Sequence, residues 1–187
     1  MATCADGILK AITSDCTTAK SGGLEVVAYV LNRTKFTLTY SLTVANKITD
    51  ITAIGLAKAY RYTGIKKNLD AGHDVVVSEN RPNKYTHLVS LEQFETLADD
   101  ILNADSIQDI IIVVEAKDKT TTGDGIFFAY GAQKGLFPST DTKRFNTDNG
   151  VRKLEFTSLA GQEENHSGFV VLDTDYATTK ALLESLV

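Results

Sequence analysis

His73, His87 and His166, the thiols Cys4 and Cys16, and a scatter of carboxylates are the groups to try first for chemistry, and their spacing decides what they can do. None of the histidines has a second His or a carboxylate four residues on along a helix, the spacing with which a zincin grips its metal. Each reads as a surface or strand-end residue. The cysteines lie twelve residues apart, whereas a thiolate metal site wants a close Cys-x-x-Cys pair and two further ligands. In a chain with room for a core of its own they read as reduced thiols. Asp173 and Asp175 precede a helical stretch and read more simply as caps than as chelators converging on Asp70 or Asp124. No phosphate-binding Gly-x-x-x-x-Gly-Lys loop, dinucleotide turn or Gly-x-Ser-x-Gly elbow occurs. Gly123-x-Gly125 lacks a third glycine and opens a strand. Paired carboxylates for glycoside hydrolysis, roughly 5 to 9.5 Å apart, are a tertiary quantity, and with no Trp the usual sugar-stacking platforms are missing. No metal, no cofactor and no enzymatic activity are expected.

The 187 residues, 43% hydrophobic and 23% charged, suit one compact domain. Lys and Arg number 19 against 24 Asp and Glu, so the net charge of -5 argues against a charge-driven grip on nucleic acid. The longest apolar run, Ile110 to Val114, is far short of the roughly 20 residues that cross a bilayer. Asp6, Lys10 and Asp15 interrupt the N-terminal apolar pairs, so no signal peptide and a cytoplasmic synthesis are expected.

The elements that must position these groups are mostly strands. Residues 1–23 read as a flexible arm ending in Lys20-Ser21-Gly22-Gly23, and 24–187 as a single β-sandwich domain. Leu24 to Leu31 reads as a strand closed by the turn Asn32 to Lys35. Phe36, Leu38, Tyr40, Leu42 and Val44 alternate with Thr37, Thr39, Ser41 and Thr43. Period two predicts a long half-buried strand whose second face carries hydroxyls and no charge. That face either meets water, packs on a neighbouring subunit or lines a channel.

Ile48, Ile51 and Ile54 recur at spacing three and Ala57 to Tyr62 alternate, which predicts strands with a bend near Gly55; further strands are expected near 75–77, 85–89, 107–114, 126–130, 151–159 and 169–172, with polar loops at 64–72, 131–149 and 161–168. Ile107 to Val114 is continuous enough to be covered on both faces. At Ser90 the period changes: Leu91, Phe94, Leu97, Ala98 and Ile101 recur at helical spacing, and Ser90 with Gln93 makes a capping box, which predicts a flanking helix over about 90–102. Glu92, Glu95, Asp99 and Asp100 line its other face, as a solvated acidic surface or a subunit seam against the basic stretch with Lys58, Arg61, Lys66 and Lys67. Asp173 or Thr174 caps a short C-terminal helix. The expected fold is α+β, mainly β: an antiparallel sandwich or barrel with one flanking and one terminal helix.

From Asp15-Cys16 through Gly22-Gly23, Ile111-Ile112-Val113-Val114-Glu115-Ala116-Lys117, Gly123-Asp124-Gly125, Phe128 to Leu136, Asn149-Gly150 and Leu154 to Gln162, the order of strands and turns resembles the tail-tube class of structural proteins from long-tailed phages and prophages of Bacteroides-type bacteria. The resemblance implies a virion subunit, a sandwich closing into hexameric rings that stack into a tail channel. Its partners would be further copies of itself and other phage tail proteins, with DNA passing without sequence recognition. Thr37, Thr39, Ser41 and Thr43 would face the lumen or a seam; the loops 58–70 and 117–122 and the N-terminal arm would make ring-to-ring contacts. The other readings are a capsid decoration or tail-terminator protein, which would not polymerise alone, and a carbohydrate-binding or hydrolytic sandwich, which a glycan array or hydrolase panel would expose.

Overall fold

The computed structural model describes residues 23–64, 68–77, 82–93, 105–119, 124–147 and 150–187. These hold eleven strands: β1 (Leu24–Asn32), β2 (Phe36–Tyr40), β3 (Lys47–Ala53), β4 (Tyr60–Thr63), β5 (Leu69–Val76), β6 (Lys84–Gln93), β7 (Ile110–Ala116), β8 (Phe127–Tyr130), β9 (Phe137–Lys143), β10 (Arg152–Thr157) and β11 (Phe169–Val171). A C-terminal helix, α1 (Tyr176–Ser185), follows. The strands form a large sheet in the order β2-β3-β11-β8-β7-β1-β4 and a small one in the order β5-β6-β10-β9. The fold is mainly β with a helical layer, as the composition of the strands suggests, but among the described residues both sheets keep free edges and no barrel closes.

β7 is the centre of three layers. Its residues Ile110 to Glu115 are all buried. Ile111 and Val113 point into the core shared with α1, together with Tyr29, Phe127, Phe169 and Leu183. Ile110, Ile112 and Val114 point the other way, onto Val89, Leu91, Leu154 and Phe156 of the small sheet. A continuous β-branched run is what a strand needs when both faces are covered, and each such side chain stabilises the fold by about 1.5–3 kcal/mol relative to exposure.

The helix is tied down by polar contacts as well. Glu115, at the end of β7, accepts from the Tyr176 hydroxyl at 2.8 Å and pairs with Lys119 and Lys180. Burial pushes its carboxyl up, but the hydrogen bonds from Lys119 and Tyr176 outweigh this and leave it below the usual range. The Tyr29 hydroxyl donates to Glu184 at 2.7 Å. Asp175 is the N-cap, accepting from the Thr178 N–H at 2.8 Å, rather than Asp173 or Thr174. The Thr179 hydroxyl instead accepts from the Asp173 N–H.

Several expectations need correction. The strand from Phe36 stops at Tyr40, and Ser41 to Thr43 belong to a turn. Ser90 to Gln93 are strand, all four paired with β10 and Ser90 and Leu91 also with β5, so the capping box does not start a helix there; residues 94–104 lie outside the described residues. β5 occupies Leu69–Val76, so the strand expected from Val75 begins earlier, within the loop expected at 64–72, and β9 occupies Phe137–Lys143, inside the loop expected at 131–149. β11 pairs antiparallel with β8 but parallel with β3, so the large sheet is mixed. The spacing of three between Ile48 and Ile51, both in the core, comes from a bulge: Tyr40 pairs with Ile48 and Thr39 with Asp50, which leaves Thr49 as the extra residue.

Candidate functional site

Among the described residues, the β2–β3 hairpin and its exit carry the two most exposed large apolar side chains, Leu42 and Leu56. Phe36, Leu38 and Tyr40 face the α1 side of the sheet; Phe36 is buried, and the Tyr40 ring meets Phe169 edge-on at 5.6 Å. Thr37 and Thr39 take the opposite face, exposed, opposite Thr52 and Asp50 of β3. The Ile54 N–H donates to the Lys35 carbonyl at 2.9 Å. In that register Thr37 and Thr39 exchange the ladder bonds with β3, so the N–H and C=O groups of Phe36, Leu38 and Tyr40 point away from the sheet. Such a row is a template for another strand.

Apolar side chains mark both ends of this β2–β3 hairpin. In its turn the Ser41 hydroxyl accepts from the N–H groups of Thr43 and Val44 at 3.3 and 3.2 Å and stands 3.2 Å from the Thr43 hydroxyl. This local turn projects Leu42, which is 104% exposed, and Val44. Beyond β3, Leu56 is 101% exposed, with Ile54 and Tyr60 beside it more than half exposed. Single exposed apolar residues are ordinary. Here two stand at the turn and three at the hairpin's far end, and each fully exposed Leu forgoes about 1.5–3 kcal/mol available on burial.

Thr37, Thr39, Ser41 and Thr43 thus lie on one hairpin, two on an open sheet face and two in its turn. Lys58 and Arg61 are drawn to the end of α1: the Lys58 ammonium donates to the Val187 carbonyl at 3.0 Å and Arg61 approaches Glu184 at 3.9 Å, where positive charge suits the helix C-terminus. Glu92 is in β6 opposite Lys153, and its N–H donates to the Asn68 carbonyl at 3.0 Å. Glu95, Asp99, Lys66 and Lys67 lie outside the described residues, as do Cys4, Cys16, Lys20 to Gly22 and residues 120–122.

One histidine departs from expectation. His87 is not at a surface or strand end but wholly buried in the middle of β6. Its Nδ1 accepts from the Gly131 N–H at 3.0 Å and its Nε2 donates to the His166 carbonyl at 2.8 Å, an arrangement that specifies the neutral Nε2–H tautomer. Its backbone N–H donates to the Ser158 hydroxyl and its carbonyl accepts from the Ser158 N–H. Nearby Glu164, also wholly buried, accepts from the N–H groups of Gln133 and Lys134 at 3.1 and 2.8 Å. Burial pushes its carboxyl above the usual range, against those N–H groups and the cations Lys134 and Arg33. The signal was parity: His87 shares its place in the alternation with Val89 and Leu91, both buried.

Among the described residues no group of three His, Cys, Asp or Glu could hold a metal ion, and no helix is long and apolar enough to cross a membrane. Comparison with protein families, with curated proteins and with solved structures finds no match for this chain.

Proposed function

We propose that this chain is a self-associating structural subunit of the tail-tube kind, closing with its own copies into rings that stack into a channel for phage DNA. The observation that carries the reading is the open β2 edge flanked at its two ends by Leu42 and Leu56, the two most exposed large apolar side chains among the described residues. A neighbour pairing with the edge and covering the leucines would remove both liabilities at once. The uncharged hydroxyls of Thr37 and Thr39, at the same edge, suit a seam or a lumen that lets a polyanion slide, and the net charge of -5 gives DNA no overall attraction.

The test is assembly. Purified protein at rising concentration should give rings or stacked tubes by electron microscopy and a matching mass by light scattering. A strictly monomeric chain up to millimolar concentration overturns the reading. The double variant Leu42→Glu with Leu56→Glu should remain monomeric while its urea midpoint stays put, since exposed substitutions typically alter stability by no more than about 0.5 kcal/mol. Assembly unchanged in that variant would show that the edge is not the contact.

A further inference from the structure

We propose that His87 is a proton-sensitive latch: neutral, it holds the turn at 131–134 and the loop at 161–168 onto β6; protonated, it releases both while the remainder of the sandwich stays folded. The geometry is specific. The Nδ1 lone pair is the acceptor for the Gly131 N–H, and an imidazolium has no lone pair to offer, so protonation turns an acceptor into a donor facing a donor inside the protein. The Gly131 N–H would then be left buried and facing a donor, which penalises the proton in the closed latch.

What the latch holds is fastened mainly by polar contacts. The loop carries Leu159 to Gln162 in the open, and meets the small sheet through the reciprocal Tyr85 and Glu164 backbone bonds, both 2.9 Å, and the His166 carbonyl; its Asn165 amide donates to Gln133 of the turn at 2.8 Å. Residues 131–134 of the turn are held by His87 through Gly131 and by Glu164 through Gln133 and Lys134, whereas Leu136 beyond them is buried in the core and bridged to Ile110 of β7, and so stays in place. Segments with few apolar anchors open at lower cost than core strands. This loop is also the chain's passage from β10 in the small sheet to β11 in the large one, so its release uncouples the two sheets at one rim.

The titratable and polar groups facing His87 are His73, its partner on β5, Tyr130, whose ring meets it edge-on at 5.1 Å, Ser158, and His166 with Glu164 from the loop. Burial pushes the His87 imidazole down to about 4 from its ordinary 6.5; the His166 carbonyl offsets part of this and His73 adds to it. In the opened form the ring would titrate near its ordinary value. Between the two values falling pH protonates the open form alone, so the open population grows on the order of 100-fold from about pH 7 to about pH 4. Glu164 acts in the opposite sense: its raised value means the closed form takes that proton first, so its protonation favours closure.

Amide hydrogen exchange, corrected for intrinsic rates and followed from neutral to mildly acidic pH, tests this. In the unaltered protein, protection at 131–134 and 161–168 should fall by one to two orders of magnitude, in line with the roughly 100-fold growth of the open form, while protection at 110–116 holds. In His87→Gln, whose amide offers both an acceptor and a donor without titrating, protection of the same segments should stay level or rise as the Glu164 contribution is left alone. An equal fall in the variant, a fall at 110–116 in step with the loops, or no fall in the unaltered protein would overturn the latch. Should His87→Gln not fold, the ring titration of His87 by NMR decides: a midpoint well below the ordinary value, accompanied by shifts of the Gly131 amide, supports it, and a midpoint at the ordinary value refutes it.

Discussion

Gly131→Ala will cost this protein about 2–5 kcal/mol, a large share of the roughly 5–15 kcal/mol that folded domains have. Gly131 sits at φ +76, and a Cβ placed there would stand 2.7 Å from Leu136 Cγ, 2.8 Å from the Ile110 carbonyl oxygen and 2.9 Å from the Leu136 N. The left-handed conformation alone costs an L residue about 1–2 kcal/mol, and forced overpacking adds about 1–3. Two of the three contacts are backbone atoms joined in the reciprocal Ile110 and Leu136 bridge, 3.0 and 2.8 Å, so they have no rotamer through which to yield. Gly55 is the control: its φ is +67, yet a Cβ there meets nothing within 4 Å. Gly55→Ala should therefore lose only about 1–2 kcal/mol. Equal losses for the two variants in urea unfolding would mean that steric crowding at Gly131 is absent.

Phe169→Ala should cost about 3–5 kcal/mol, the usual range for deleting a buried aromatic ring. Phe169 is fully buried and packs edge-on against Tyr40 at 5.6 Å and His166 at 5.2 Å. Its consequence is wider than a cavity, because β11 is only three residues long and lies between β3 and β8 in the large sheet. Without the ring, the β2–β3 hairpin loses its mooring to the centre of the sheet. Exchange protection should then fall further at 47–53 than at 110–116, and assembly should weaken along with it. Equal protection losses at the two strands would show that β11 does not join them mechanically.

The alternation of Phe36, Leu38 and Tyr40 with Thr37 and Thr39 was legible because a half-buried strand imposes period two on its own residues. So was β7, whose unbroken apolar run matches burial on both faces. The strand stretches that escaped notice, the first part of β5 and all of β9, are at the edges of the small sheet. β5 puts only Leu69 and Ala71 against the core and carries Asp70, His73 and Asp74 toward water; β9 contains Pro138, which an edge tolerates and which reads as loop. At Ser90 two periods overlapped: Val89 and Leu91 alternate with Leu88 and Ser90, while Leu91 also begins a spacing of three with Phe94. Pairing of β6 with β5 on one side and β10 on the other selected the strand for 90–93.

What the amino-acid order determined alone was which stretches bury themselves and with what period, since that depends on neighbours within a few residues of one another. It determined the mainly β character, the doubly covered strand and the terminal helix. Which strands meet was decided only in three dimensions: the parallel junction of β11 with β3, the burial of His87 between Gly131 and His166, and the hairpin left open with Leu42 and Leu56 in water. Those features bring together residues from distant parts of the chain, and the free energy of each contact exists only once the intervening loops have closed.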